Sequence, residues 1–409
     1  VVNLFDQLYE YEHLARPFAL RPCLAAGMPE VSEDRRTYTI RLKQGVRFAA
    51  DPCFDTGQGA SPTAEAGRVV TAHDVVFSNK RLMDANDGAP GRWLFENKHV
   101  GIDAFTKASA LVPKKPNRSS YTKEQGYPAV AGLEAVDDYT VRFRLTRPYP
   151  ALVWVLAASY ASIYPPEAVA RYGAEFAQHP VGSGAYVLQS FPSKRMVTLR
   201  RNPAFRKDLY PAQGAEGDTA DGILADAGAA LPLNSIVTVN VVEDDTDAWN
   251  RFNAGQFDMC LVPRDAIWSI VSPGDLKLLP SHAEKGMTLH KVPKLEIFYQ
   301  AFNMEDEVLG HPAGEKGRAL RRAISLAHAD RWTRERLYTG LVERIYGPIL
   351  PEFPEFDSHF QNGWMRQEGE SEEDALALAR EVLAEAGYPE GKGVPVLPID
   401  LLDYEAHRT

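Results

Sequence analysis

Apolar residues recur along this chain at two spacings, one helical and one alternating. In residues 1–11 they stand at Val1, Leu4, Phe5, Leu8 and Tyr9, which predicts an amphipathic helix packed on a core. Residues 37–42 (TYTIRL) alternate and predict a strand, and Gly45 bends the chain before residues 46–48. Residues 71–84 return to helical spacing, with Ala72, Val75, Val76, Leu82 and Met83 on one side. Thr71, with Asp74 three residues on, makes a capping-box variant at the start of that helix. Residues 133–145 read as a hairpin turning at Asp137-Asp138. A short apolar helix is expected within 148–166 and a second over 167–172. Between these elements, 51–68 reads as a surface loop and 86–127 as a polar stretch without a clear period.

The middle of the chain is the stretch 179–205, HPVGSGAYVLQSFPSKRMVTLRRNPAF. Gly182 and Gly184 permit backbone angles that a Cβ forbids. Residues 185–191 alternate as a strand, Pro192-Ser193-Lys194 reads as a turn, and 195–200 as the return strand stopped by Asn202-Pro203. Residues 209–233 read as an insertion with one short helix. A β-branched strand is expected at 236–242, a glycine-ended helix at 246–255, a buried strand at 257–262, and strands at 287–292 and 295–303. Residues 317–337 predict a helix with Ala319, Leu320, Ala323, Ile324 and Ala327 on one face. Residues 371–386 predict another, capped by Ser371 and Asp374 and ended by Gly387. One more strand opens at 398–402. Strands and helices mix without regular βαβ alternation, which favours α+β or a multi-lobed α/β fold.

Length and charge narrow the function classes. A chain of 409 residues exceeds one core and implies two or three domains. Asp plus Glu outnumber Lys plus Arg by 55 to 45, a formal charge of −10. An acidic chain without a dense Lys/Arg stripe argues against nucleic acid and against anionic membrane surfaces. The longest apolar run, 151–163, is broken by Ser159, Tyr160 and Ser162 and is too short to span a bilayer. The chain begins without a signal peptide and reads as a processed or trimmed product. Cys23, Cys53 and Cys260 form no zinc spacing; Cys23–Cys53 is a conceivable disulfide, and three free thiols are the favoured reading.

Catalytic motifs find little footing. The histidines are isolated, so a metal site has little support. Gly182-x-Gly184 matches half of a dinucleotide fingerprint but enters a strand instead of a helix. Ser120-x-x-Lys123 lies in a polar loop, GxSxG is absent, and the run from Glu243 to Asp247 reads as a helix cap. Residues 295–303 (LEIFYQAFN) are more suggestive, because polar and aromatic side chains share the faces of one expected strand. A buried Gln or Tyr there needs a hydrogen-bond partner, which protein, water or a ligand can supply.

Taken in order, the segments LFDQLYEYE (4–12), TYTIRLKQGVRF (37–48), TAHDVVFSNKRL (71–82), PVGSGAYVL…LRRNPAF, WNRFNAGQFDM (249–259), RALRRAISLAHADR (318–331), YGPILP (346–351) and AREVLAEAGYPEGKG (379–393) resemble the bacterial extracellular solute-binding proteins of family 5, the oligopeptide- and dipeptide-binding components of ABC importers. The resemblance implies an α/β fold: a two-lobed periplasmic-binding-protein clamp of the peptide-binding class, with an extra domain in lobe one. Residues 1–29 and 173–290 would then form lobe one, 30–172 the extra domain, and 291–409 an incomplete lobe two. The family's first ligand-clasping strand is expected before Val1. Its acidic anchor for the ligand's amino terminus is expected beyond Thr409. The site residues that the resemblance leaves in this chain are Phe298, Tyr299 and Gln300.

The implied function is capture of a small ligand, a peptide in first place, in a closing cleft, and delivery to the permease subunits of an ABC transporter. No cofactor and no catalysis are implied, and the protein is expected to act as a periplasmic or otherwise extracytoplasmic monomer. Departures are the FAADPCF stretch with its longer loop and the 209–233 insertion. A ligand-sensing domain built on the same clamp is the alternative, and a hydrolase on that scaffold a weaker one.

Overall fold

Among the described residues, 3–11 form a turn, coil and a short strand instead of a helix. The computed structural model describes residues 3–55, 66–193, 195–292, 294–328, 330–353, 355–367 and 369–397. Strand β1 (Tyr9–Tyr11) pairs antiparallel with β2 (Leu20–Pro22). The helical spacing of residues 1–11 is overridden by distant partners. The carbonyls of Asn3 and Leu4 accept hydrogen bonds from the N–H groups of Tyr186 and Gly184, at 2.9 and 3.1 Å. Backbone groups paired across the chain no longer need helical partners.

The next elements build one sheet and its cover. They are β3 (Glu30–Val31), β4 (Thr37–Arg41), β5 (Arg47–Ala49), β6 (Ala66–Val69), helices α1 (Ala72–Met83) and α2 (Ile102–Ser109), β7 (Leu133–Asp137), β8 (Thr140–Arg144), and short helices α3 (Leu152–Val155) and α4 (Pro166–Tyr172). The four-stranded sheet runs β3-β4-β8-β7, and β5 pairs with β6. Register sets Tyr38 opposite Phe143 and Ile40 opposite Val141, so alternate residues of both strands enter the core together. Phe48, Phe95, Phe105 and Tyr127 complete that core, which extends from Leu8 to Val181. Asp74 accepts the Thr71 N–H at 2.8 Å, as the capping box requires. Arg68 grips Asp74 and Glu167 with two hydrogen bonds each, joining β6, α1 and α4. His99 is buried between the rings of Phe95 and Phe143, and that burial pushes its pKa down to about 4.

Strands β9 (Tyr186–Ser193) and β10 (Met196–Arg201) form the expected hairpin, and β11 (Ile236–Asn240) adds a third antiparallel strand beside β10. Pro192 and Ser193 belong to β9, so the turn falls later than the sequence suggests. Neither Gly182 nor Gly184 has a positive φ. Their requirement is space: a Cβ on Gly182 would fall onto the Leu4 carbonyl, and one on Gly184 would lie 2.7 Å from the same carbonyl carbon. Residues 209–233 contain turns and a Leu209–Ala230 bridge instead of the expected helix. Helix α5 (Asp245–Asn253) follows, with the Asp244 carboxylate accepting the Asp247 N–H at 2.7 Å.

The later strands do not form. Residues 257–262 are coil, with Met259 and Leu261 exposed. The described parts of 287–292 and 295–303 are coil as well. These segments have apolar residues but no neighbouring strand with which to close a ladder, and β-propensity without a partner does not hold a strand. Helices α6 (Ile267–Ile270) and α7 (Pro280–Ala283) lie between them. Ile267, Ile270 and Val271 pack with Trp249 and Leu289 in a small separate core.

The chain divides into two compact units, Val1–Leu289 and His290–Thr409. In the second, α8 (Gly314–Ala327) ends before α9 (Asp330–Trp332) and a π-helical turn, so the single helix expected over 317–337 is broken near residue 328. Helix α10 (Glu372–Glu385) packs Ala379 and Val382 against Ala323 and Leu326 of α8. Its Ser371 hydroxyl accepts the Asp374 N–H at 3.0 Å, and Gly387 ends it at φ +91°. The strand expected at 398–402 lies outside the described residues.

Candidate ligand-binding site

Two regions carry the chemistry a binding site would use, one in each unit. In the second unit, Phe298, Tyr299 and Gln300 stand on exposed coil. Phe298 and Tyr299 are 59% and 81% exposed. The Phe298 ring meets Tyr338, with centroids 4.8 Å apart and planes tilted by 41°. Tyr299 and Gln300 are not brought against that pair. Two neighbouring aromatic rings open to solvent offer a platform for an apolar or aromatic side chain. Tyr338 is absent from the sequence-based site. It follows an Arg-rich turn 40 residues on, and only tertiary structure brings it to Phe298.

In the first unit, a polar recess of about 340 Å³ is bordered by Ala49, Asp51, Pro180, Leu188, Arg200 and Asn202. Charges of both signs, Asp51 and Arg200, thus line one cavity. Asp51 accepts the Tyr172 hydroxyl at 2.8 Å and the Cys53 N–H at 2.7 Å. Burial, aided by the Asp51 carboxylate, pushes the Tyr172 phenol up to about 12. Asn202 is fixed, donating to the Gly184 carbonyl at 2.8 Å.

Behind the glycine bend lies a charged chain that sequence reasoning did not find. Asp6 accepts Arg206 at 2.7 Å and the Ser183 hydroxyl at 2.8 Å, and the Cys23 thiol donates to it at 3.5 Å. Arg206 reaches Asp208 at 3.8 Å, and Arg21 bridges Asp208 at 3.2 Å and Glu10 at 2.9 Å. Burial raises the Glu10 carboxyl, and Arg21 and Arg206 oppose that rise. The network joins residues some 200 positions apart, so no local pattern announces it. Its chemistry is structural. Burial and the Asp6 charge push the Cys23 thiol far above its usual range, so it stays a protonated donor and not a thiolate nucleophile. All three cysteines are free.

Among the described residues, no group of His, Cys, Asp or Glu is arranged to hold a metal ion, and no helix is long and apolar enough to cross a membrane.

The family model for the middle part of bacterial extracellular solute-binding proteins, family 5, matches residues 19–406. The probable ABC transporter periplasmic-binding protein SapA of Escherichia coli is 24% identical over 354 residues, 85% of this chain and 51% of that protein. Di/tripeptide-binding protein 3 of Pseudomonas aeruginosa is 23% identical over 396 residues, 95% of this chain and 59% of that protein. The chain therefore spans about half the length of the curated relatives it matches. The unliganded open form of the murein tripeptide-binding protein MppA superposes with a TM-score of 0.63 at 20% identity, covering 96% of this chain and 62% of that one. This likeness shows the α/β fold of the two-lobed periplasmic binding proteins. The chain belongs to the bacterial extracellular solute-binding proteins of family 5.

Proposed function

We propose that this chain is part of an extracytoplasmic solute-binding protein that captures a small ligand, a peptide in first place, and hands it to the permease of an ABC importer. The observation that carries the reading is the family match over residues 19–406. The names of SapA, a probable ABC transporter periplasmic-binding protein, and of the di/tripeptide-binding protein agree with it. The protein is a carrier and not an enzyme. The buried acid–thiol pair of Asp6 with Cys23 holds the thiol protonated, which supports a structural role for it.

In this reading residues 1–29 and 173–290 belong to lobe one, 30–172 to its extra domain, and 291–409 to lobe two. Support comes from the hydrogen bonds of Asn3 and Leu4 to the 184–186 backbone and from the Asp6–Arg206 ion pair, which tie the first segment to the return. The β3-β4-β8-β7 sheet, complete within residues 30–144, supports the extra domain. Phe298, Tyr299 and Gln300 contact the ligand from lobe two, with the Phe298–Tyr338 pair as their aromatic anchor. Closure of two lobes on the ligand is a hinge motion stabilised by contacts to both.

The test is mass spectrometry of ligand co-purifying with the full-length protein, followed by melting against peptide and sugar panels. A peptide at about 100 times its Kd should add roughly 2.7 kcal/mol of stability. The reading fails if no peptide or other small solute shifts the melt while an ester or amide is turned over with saturation.

A further inference from the structure

Among the described residues of unit His290–Thr409, one cluster of charges is unbalanced and is not used by the solute reading. Three guanidiniums converge on one carboxylate. Asp330 lies 2.6 Å from Arg366, 3.4 Å from Arg334 and 3.5 Å from Arg344. Three positive charges and one negative leave 3 − 1 = +2. Among the described residues, neither Arg344 nor Arg366 makes an ion pair with any other acid. The next acid in sequence, Glu335, is held by Arg331 at 2.8 Å.

Hydrogen bonding is as incomplete as the charge. Among the described residues, only Arg366 makes a directed hydrogen bond to the Asp330 carboxylate, through Oδ1. Arg334 Nε and Asp330 Oδ2 face each other at 3.4 Å as an ion pair, whereas Arg344 Nε is buried without a hydrogen-bond partner. Buried polar atoms in native proteins are nearly always satisfied, and an unmet group calls for a water or an ion. Burial works to raise the Asp330 carboxyl, but the guanidiniums of Arg344, Arg366 and Arg334 overcome it and hold it below the usual range. Asp330 therefore stays charged and still leaves the arginines in excess. Arg334 is 38% exposed, which gives solvent and solutes a way in. Arg344 is braced on the Tyr346 ring, 4.9 Å from its centroid. Guanidinium forks match planar and tetrahedral oxyanions with paired N–H donors.

We propose that Arg334, Arg344 and Arg366 form a binding site for a compact oxyanion, a carboxylate or a phosphate, with Asp330 as the internal counter-charge that tunes its strength. The site does not depend on the peptide reading, since a carrier of any solute could hold an anion here. The test is the melting temperature of the full protein in sodium phosphate and in sodium acetate, each against sodium chloride at equal ionic strength. A saturable rise in either anion beyond chloride is the expected result, and the stronger arm names the anion. Arg344→Gln should weaken the apparent affinity about tenfold, the worth of one lost charge-assisted pair. Asp330→Asn should tighten it, because it removes the competing carboxylate. A merely structural ion cluster predicts the opposite for Asp330→Asn: a lower melt and no gain in anion affinity. If Arg344→Gln fails to fold, Arg334→Gln at the exposed edge takes its place. Equal melting in all three salts overturns the proposal, as does an anion response that neither arginine variant changes.

Discussion

Residues 140–144 (TVRFR) and 257–262 (FDMCLV) both present apolar side chains that suit a strand, and they meet different fates. The first becomes β8. Val141 and Phe143 are fully buried, with Ile40 and Tyr38 opposite on β4 and Ala135 and Leu133 opposite on β7. The second stays coil, and Leu261 is 87% exposed. Residue type does not separate them. What separates them is neighbours: β8 has a strand on each side, and among the described residues 257–262 has none. A strand's stability resides in its cross-strand pairs and in the face those pairs bury.

The largest break in this comparison is Phe143→Ala. Emptying a ring site inside the main core should cost about 3–5 kcal/mol in urea unfolding of the first unit's transition. A cost below about 1 kcal/mol would mean that the β8 face is not a true core. Gly182→Ala should cost about 3 kcal/mol or more, because the new Cβ collides with backbone and not with a side chain that can rotate away. Gly45→Ala strains a positive φ but meets no atom within 4 Å, so it should cost less and serves as the control. An equal loss in both would show that the Leu4 backbone moves aside for the new Cβ and that close approach does not set the need for Gly182.

His99 gives the comparison a pH axis. Burial sets its folded pKa at about 4, below the unfolded value of about 6.5. Protons therefore bind the unfolded chain first. Its contribution to stability is whole above pH 6.5 and is lost as pH falls toward 4, by about 3 kcal/mol in all. His99→Phe should flatten the pH dependence in that window, and an unchanged slope would assign it to other groups. At the small end, Leu261→Ala should alter stability by no more than about 0.5 kcal/mol. A loss near 2 kcal/mol would show that residues 257–262 are buried in the working protein.

What could be read from sequence was local. Thr71 with Asp74, and Ser371 with Asp374, announce helix starts because both partners lie within one turn. The hairpin at 133–145 shows its alternation and its Asp137-Asp138 turn within a dozen residues. The ordered motifs identified the family because they sample the whole chain. What could not be read depends on partners far away. Residues 3–9 have helical spacing, yet the Asn3 and Leu4 carbonyls bind backbone some 180 residues later, and those of Gln7 and Leu8 bind residues 23–25. Gly182 and Gly184 look like turn glycines, yet their role is to admit the Leu4 backbone. Asp6 and Ser183 lie within motif segments, but nothing in those segments joins them to Cys23 or Arg206. For the candidate site, sequence offered Phe298, Tyr299 and Gln300, while Tyr338, the ring that meets Phe298, is visible only in three dimensions.

The measurement that bears most directly on the central claim is calorimetric titration of the full-length protein with di- and tripeptides, repeated for Tyr299→Ala. A solute carrier that uses the 298–300 segment predicts saturable binding without turnover. It also predicts an affinity at least about tenfold weaker in the variant, with an unchanged melt of the free protein. Saturable peptide cleavage, or equal affinity in wild type and variant, would contradict that account.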